Sequence, residues 1–250
     1  MYINKSIKWY SRVKLNKEIW HHVQVVDRVL DIGCGLEPQR FLRGIKVLLS
    51  EPCEEYYKHL KSIYNGNKNV EIIKTTMQQI SDILLPESYD TIFLLDVIEH
   101  IDKVEALNAL YKLEKIAKRQ IIIRCPIGEV PQDYDNGIDP WGYKINSWQK
   151  HKSSWYPIDF NDYEILACKN YSYITGNGTI NKIPTGEMYA IKNISSSGKY
   201  LTIGKRKQSI ISLYDMGMAL IAFVLKIIPE QISRNMINIV IKRLWKRVGA

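Results

Sequence analysis

The most constraining feature of this chain is the segment Val29–Gly35, with the sequence VLDIGCG. Its apolar half predicts a buried strand, and its two glycines predict a sharp turn where a ligand can approach the backbone. In an α/β protein, the turn after the first parallel strand binds a nucleotide-like cofactor at the carboxyl ends of the strands. The dinucleotide-binding fingerprint requires a third glycine where Pro38 stands. The two glycines therefore indicate a cofactor site but not its type.

Four further apolar segments follow this turn, at intervals that leave room for helices. The run Ile45–Ser50 ends at Glu51, sixteen residues after Gly35. A carboxylate at the end of a second strand can accept both hydroxyls of a ribose. The other runs are Val70–Lys74, Tyr89–His100, which ends in a polar stretch, and Gln120–Arg124. Strands that alternate with helix-length segments predict βαβ units and a parallel sheet.

Together these segments resemble the successive motifs of class I S-adenosylmethionine-dependent methyltransferases. The resemblance rests on Val29–Gly35, Glu51, Tyr89–His100 and Ile121–Pro126, in the family's order. The later segment His151–Phe160, HKSSWYPIDF, is similar to the HxSxWxxxDF segment of one subgroup, which contains ubiquinone-biosynthesis-like and glycan-modifying enzymes. The resemblance covers about residues 26 to 193.

The resemblance implies a Rossmann-like α/β fold, with a seven-stranded, mostly parallel sheet and helices on both faces. Strands six and seven are expected at Asp162–Lys169 and Glu187–Asn193, separated by the glycine-containing loop Thr175–Gly186. The segment Ser195–Gly198 predicts a linker between a domain of residues 1–197 and an extension of residues 198–250. Alternatively, Lys199–Gly204 forms the last strand and the boundary lies near residue 208.

The resemblance also implies S-adenosylmethionine as the cofactor. The residues expected to contact it are Asp31, Gly33, Cys34, Gly35, Glu51, Pro52, Thr76, Met77, Asp96 and Val97. Asp31 is expected to order the glycine turn and to face the amino acid moiety, directly or through water. Glu51 is expected to accept the ribose hydroxyls and Met77 to lie near the adenine. Asp96 and Val97 are expected to contact the methionine portion.

Some of these residues have a second interpretation, and two positions depart from the family pattern. Glu51 is alternatively the N-terminal charge of the helix Pro52–Tyr64, whose proline suits a first helical position. Glu37 replaces a small residue and adds a charge near the cofactor carboxylate. Thr76 replaces the aspartate that holds the adenine amino group in the family. We expect altered geometry at both positions, with cofactor binding retained.

The expected reaction is O-methylation. The residues after the fourth strand, DVIE, differ from the Asn/Asp-Pro-Pro-Tyr/Phe motif of base N-methylating enzymes. A hydroxyl acceptor benefits from a general base with a pKa near the working pH, so His100 and His151 are the catalytic candidates. Alternatively, His100 caps its helix and His151 bonds a loop. The aromatic-rich insert Gln132–Trp155 predicts a wall for a glycan, a lipid-linked sugar or an isoprenoid-like acceptor, with plain packing as the alternative.

The positive charge is concentrated at the C-terminus. The chain has a net charge of +9, and residues 198–250 hold ten Lys and Arg against two acidic residues. The uncharged run Met216–Leu225 is shorter than the roughly 20 residues of a transmembrane helix. Residues 213–248 therefore predict basic amphipathic helices on an anionic membrane surface. The alternatives are packing on the sheet or on a second subunit of a homodimer. Nucleic acid is not the expected partner, because no basic cluster with interleaved aromatics accompanies the motifs.

Cysteine usage and the N-terminus predict a cytoplasmic protein, and the basic tail predicts its peripheral attachment at the inner face of the membrane. The cysteines form no CxxC pair, so buried free thiols are expected, without a disulfide framework, a zinc site or another metal. The basic N-terminus lacks the apolar core of a signal peptide. We expect it to form a short helix over the cofactor site through Trp9, Tyr10 or Trp20, or to pack these rings against the sheet. A non-catalytic scaffold that recruits a partner or a membrane through the tail is the alternative function.

Overall fold

The computed structural model describes residues 7–41, 46–132, 137–139, 142–144, 147–174, 180–195 and 199–201. These residues form a mixed α/β structure around one eight-stranded sheet. The strands are β1 (Lys8–Trp9), β2 (Arg28–Ile32), β3 (Lys46–Ser50), β4 (Val70–Ile73), β5 (Tyr89–Leu95), β6 (Ala117–Ile127), β7 (Glu164–Ile174) and β8 (Ile180–Asn193). The α-helices are α1 (Arg12–Glu18), α2 (Glu54–Ile63), α3 (Met77–Ile83) and α4 (Lys103–Ile116).

The strand order is β1-β7-β8-β6-β5-β2-β3-β4. All neighbouring strands are parallel except β8, which is antiparallel to both β6 and β7. The connections run outward in opposite directions from the pair β2 and β5, so a crevice opens at their carboxyl ends, as in Rossmann-like sheets. The predicted count of seven strands is wrong by one. The two-residue strand β1 adds an edge beside Leu166 and Ala167 of β7, and Lys8 pairs with Glu164 at 2.5 Å.

Alternate side chains of the central strands enter separate apolar cores on the two faces of the sheet. Leu30 and Ile92 share a core with α3 and α4, whereas Val29 and Phe93 share a core with α1. The buried residues of α4 recur at helical spacing, at Ala106, Ala109, Leu110, Leu113 and Ile116. A smaller core contains Leu60 of α2. The strands are therefore apolar on both faces, which explains their near-continuous hydrophobic sequence.

Four predicted elements need corrected boundaries. Strand β7 spans Glu164–Ile174, so it begins and ends later than the predicted Asp162–Lys169. Strand β8 begins at Ile180, so the C-terminal part of the predicted loop is strand, and residues 175–179 lie outside the described residues. Helix α2 begins at Glu54 with Cys53 as its N-cap, so Pro52 precedes the helix. Strand β6 extends beyond both ends of the predicted run, because Ala117 pairs with Tyr89 of β5 at one end and β8 pairs along β6 as far as Ile127 at the other.

The N-terminal aromatic rings pack against the sheet. Tyr10 and Trp20 belong to the core beneath α1, and the Trp20 ring lies 4.7 Å from that of Phe41. Trp9 is 45% exposed. The expectation that these rings cover the cofactor site is therefore wrong, and the packing alternative is the observed one.

At the other end, the Val25 N–H donates to the Lys199 carbonyl at 2.6 Å, and the Leu201 N–H donates to the Val23 carbonyl at 2.8 Å. The folded unit therefore reaches at least Leu201. Residues 196–198 of the predicted linker and residues 202–250 of the predicted extension, including 213–248, lie outside the described part of the chain. Within the described part, no helix is both long enough and apolar enough to cross a membrane.

Candidate functional site

The glycine turn after β2 has the conformation that its sequence requires. Gly33 and Gly35 have φ angles of +62° and +57°, in the left-handed region that glycine adopts without strain. A Cβ on Gly33 would lie 2.8 Å from Cγ2 of Val97, whereas a Cβ on Gly35 would meet no atom within 4 Å. Gly33 therefore permits Val97 to pack closely against the turn, and Gly35 leaves open space beside the turn.

Asp31 holds the loop that follows this turn. Its Oδ2 accepts the Gln39 backbone N–H at 2.7 Å, and its side chain is buried. Burial raises the pKa of Asp31 to about 7, against the opposing effect of that hydrogen bond. Glu37 lies on the exposed side of the loop and pairs with Arg40 at 3.0 Å, so its charge is partly compensated.

Glu51 bridges the glycine turn and the start of α2. One carboxylate oxygen accepts the Gly35 N–H at 2.8 Å, and the other accepts the Cys53 N–H at 2.8 Å. Burial raises the pKa of Glu51 to about 7, although both hydrogen bonds act in the opposite direction. Each oxygen of a carboxylate has a second lone pair, so two further donors can bind. The two interpretations of Glu51 are thus compatible, because one side chain bonds the helix N-cap and lines the cleft.

The cleft lies at the carboxyl ends of β2, β3 and β5 and encloses about 680 Å³, including its open mouth. Of the predicted cofactor residues, those that line it are Gly33, Gly35, Glu51, Pro52, Thr76, Met77, Asp96 and Val97. Asp31 and Cys34 are not among the lining residues.

Sequence reasoning missed several lining residues. They are Tyr56, Gln78, Ile101, Glu105, Gln149 and Lys152. Most lie at or near the amino ends of helices that follow predicted strands, or in the insert, where no motif marks them. Their position just after a strand is the signal that could have found them, because the carboxyl ends of parallel strands and the following turns meet at one edge.

Thr76 and Met77 lie at the start of α3. The Thr76 hydroxyl accepts the Gln79 N–H at 3.2 Å, and the Gln79 side chain accepts the Thr76 N–H at 3.1 Å, which forms a capping box. The hydroxyl that was expected to replace an aspartate therefore also caps a helix. Met77 is buried in the core beside α4 and presents an apolar wall to the cleft.

Asp96 turns the chain at the end of β5. Its φ of +58° is unusual for a residue other than glycine, and such strain is concentrated at functional sites. Arg124 of β6 makes two contacts with Asp96. The Arg124 carbonyl accepts the Asp96 N–H at 2.9 Å, and Nη1 of Arg124 pairs with Oδ2 of Asp96 at 2.9 Å. Arg124 also pairs with Glu187 of β8 at 3.0 Å. Burial raises the pKa of Glu187 to about 7, while Arg124 opposes that shift.

The two candidate histidines lie side by side, with ring centroids 4.8 Å apart. His100 lines the cleft, whereas His151 is not among its lining residues. Burial lowers the pKa of both imidazoles, to about 4 for His100. Their Nδ1 atoms lie at hydrogen-bonding distance from backbone carbonyls, 3.2 Å from that of Lys150 and 2.6 Å from that of Val130. In the neutral form that burial favours, Nδ1–H of each ring donates to its carbonyl and Nε2 carries the lone pair.

The aromatic insert contributes to the cleft through Trp148, which is 43% exposed. Trp155 is fully buried and stacks on Phe160 at 5.4 Å, so its predicted place in a substrate wall is wrong. Tyr143 packs edge-on against Tyr56, a cleft residue, at 5.4 Å. Residues 134 and 141 of the insert lie outside the described residues.

Comparisons with known proteins give structural neighbours only. No protein-family model matches the chain, and no curated protein matches it at a significant level. Similar solved structures include S-adenosylmethionine-dependent methyltransferases from Leishmania major (13% identity, TM-score 0.49, 72% of this chain and 71% of that one) and Archaeoglobus fulgidus (16%, 0.45, 72% and 92%). Another is the N-terminal domain of EvdMO1, in the presence of S-adenosylhomocysteine and D-fucose (11%, 0.47, 74% and 83%). At these values the likeness carries no argument about function, which must come from the cleft itself.

Proposed function

We propose that this protein is an S-adenosylmethionine-dependent methyltransferase. The observation that carries the proposal is the buried carboxylate of Glu51 at the end of β3, in one cleft with Gly33 and Gly35. Its two oxygens each have a free lone pair, which suits the two hydroxyls of a ribose. The open space at Gly35 allows a ligand to approach the backbone.

The remaining lining residues suit the other parts of this cofactor. Met77 offers an apolar surface for an adenine ring, and the methionine portion would bind beside Asp96 and Val97, which line the same cleft. The bound cofactor supplies a methyl group activated by a sulfonium, so the protein needs chiefly to position an acceptor. Positioning of an acceptor requires a rigid wall, and the turn at Asp96, which Arg124 fixes through two contacts, provides one.

We further propose that the acceptor is a hydroxylated small molecule, in the class of glycans, lipid-linked sugars and isoprenoid-like compounds. Trp148 offers an exposed ring, and Gln149 and Lys152 offer polar groups on the same wall. With its pKa lowered to about 4, His100 is a weak general base at neutral pH. Its neutral Nε2 is better suited to hold a ligand than to remove a proton unaided.

The test is calorimetric titration of the full chain with S-adenosylmethionine and S-adenosylhomocysteine. Wild type should bind both. Glu51→Gln should bind about 10- to 100-fold more weakly, since hydrogen bonds to a charged group contribute about 1.5–3 kcal/mol. Glu71→Gln, at an exposed position on β4, is the matched control and should leave the affinity unchanged. Failure of the folded wild type to bind either compound would refute the cofactor assignment.

Methyl transfer is tested separately with methyl-labelled S-adenosylmethionine and extracts separated into polar and lipid fractions. The label should enter a hydroxylated acceptor and remain stable as an ether. Transfer exclusively to nitrogen or carbon acceptors would contradict the proposed acceptor class while leaving the cofactor assignment intact.

A further inference from the structure

Three potential metal ligands, Glu99, His100 and His151, lie close together beside the cleft, and His100 is the one among them that lines it. One ligand atom from each lies within 4.8 Å of the others. Glu99 and His100 belong to the 3₁₀ turn Ile98–His100 that follows β5, and His151 belongs to the insert. The Glu99 carbonyl accepts the N–H groups of Lys152 and Ser153 at 2.7 and 3.1 Å, which fixes the insert against this turn. The three side chains are thus brought together by the backbone.

The histidines are oriented as metal ligands usually are. A ligating imidazole commonly donates its other ring N–H to a carbonyl or carboxylate, which fixes the tautomer. Here the Nδ1 atoms of His100 and His151 are placed against the carbonyls of Lys150 and Val130. This leaves Nε2 of each ring for a metal.

Glu99 supplies an independent indication of a ligand. Its side chain is 2% exposed, and its Oε2 has no hydrogen-bond partner among the described residues. A buried carboxyl oxygen without a partner is unfavourable, and either protonation of the group or a bound cation compensates it. Burial raises the pKa of Glu99, the neighbouring carboxylates of Asp96 and Glu187 raise it further, and Arg124 already pairs with both of them. A cation bound here would be attracted by these carboxylates and would give Oε2 of Glu99 the partner that it lacks in the described part of the chain.

We propose that Glu99, His100 and His151 bind one divalent first-row transition-metal ion, which in turn binds the acceptor hydroxyl. Two imidazoles with one carboxylate favour transition metals over Mg²⁺ or Ca²⁺, and three protein ligands leave coordination positions open. Metal–ligand bonds of about 2.0–2.2 Å require ligand atoms about 3.0–3.5 Å apart, so the side chains close on the ion by about 1 Å. Coordination lowers the pKa of a bound hydroxyl, whose proton passes to solvent water.

Only the role of the ion rests on the proposed function, so binding is tested first with the metal alone. Tag-free full-length protein, treated with a chelator and dialysed, is titrated with Mn²⁺ by electron paramagnetic resonance and with Zn²⁺ by calorimetry. Wild type should bind about one ion per chain. Glu99→Gln and His151→Asn should each weaken binding by more than about 10-fold. His59→Asn, at an exposed histidine on α2, is the matched control and should bind like wild type.

A measurement on wild type keeps the test valid if a variant fails to fold. In ¹⁵N spectra of the imidazoles, Zn²⁺ should shift the Nε2 signals of His100 and His151 and leave those of His21 and His59 unchanged. No stoichiometric binding, binding retained in both folded variants, or shifts confined to other histidines would overturn the proposal. Titration with S-adenosylhomocysteine separates the two proposals: cofactor binding without metal binding refutes this site alone, and the reverse result refutes the cofactor assignment alone.

Discussion

Substitution of Gly33 by alanine tests the packing of the glycine turn. A non-glycine residue at φ +62° carries a conformational penalty of about 1–2 kcal/mol. The new Cβ would also lie 2.8 Å from Cγ2 and 3.1 Å from Cγ1 of Val97, so rotation of the valine exchanges one close contact for the other. Overpacking of this kind costs about 1–3 kcal/mol. We therefore expect Gly33→Ala to lower the free energy of unfolding by about 2–5 kcal/mol.

Gly35→Ala is the matched control, because φ is +57° but no atom lies within 4 Å of the added Cβ. It should lower the free energy of unfolding by the conformational penalty alone, about 1–2 kcal/mol. Urea unfolding, followed by circular dichroism, gives both values. In a double-mutant cycle, Gly33→Ala should cost less free energy of unfolding in the Val97→Ala background than in wild type, because the close contact is absent there. Equal destabilisation by Gly33→Ala and Gly35→Ala, or an equal cost of Gly33→Ala in both backgrounds, would refute the argument from Val97.

Three further predictions concern the cleft and its supports. Because burial raises the pKa of Glu51 to about 7 and the carboxylate form accepts ribose hydroxyls, raising the pH from 6 to 8 should strengthen S-adenosylhomocysteine binding about tenfold in calorimetry. Glu51→Gln should have a smaller pH dependence, and an equal one would contradict the assignment. Trp155→Ala should lower the free energy of unfolding, measured with urea, by about 3–5 kcal/mol, because it leaves a cavity beside Phe160. A loss below about 1 kcal/mol would show that the Trp155 ring is not part of the hydrophobic core. Thr76→Ala should lower the free energy of unfolding by about 1 kcal/mol, since the capping hydrogen bond from the Gln79 N–H is lost. Thr76→Ser should retain most of the stability, and equal losses in the two variants would contradict the role of the hydroxyl as a helix cap.

The central strands could be predicted because their sequence carries the signal locally. Val29–Gly35 is apolar because both faces of β2 are covered, and the turn after it needs glycine at two left-handed positions. The edge strand β1 could not be predicted, because two residues show no periodicity and the pairing depends on Leu166 and Ala167, far along the chain. Composition alone could not separate Trp148 on the cleft from Trp155 in the core, since both lie in one aromatic segment.

Residues whose place in the cleft depends on a local signal could be named from the sequence, and residues brought together by distant segments could not. Glu51 could be placed at the cleft because it directly follows β3. Glu99 has no such signal: its proposed role depends on burial, on an Oε2 atom without a hydrogen-bond partner among the described residues, and on His151, 52 residues later. Those properties depend on the contact between the insert and the turn after β5. The spacing of residues along the sequence does not predict that contact.

The sequence DVIEH, directly after β5, is one structural unit, although it contributes residues both to the proposed cofactor site and to the proposed cation site. The left-handed Asp96 ends the strand and starts the turn that buries Glu99 while His100 faces the cleft. Arg124 fixes this turn through both its carbonyl and its guanidinium. The residues that line the proposed cofactor site and those of the proposed cation site therefore cannot move independently. A ligand that repositions the Asp96 backbone also changes the geometry available to the cation, which gives the two sites a physical basis for coupling.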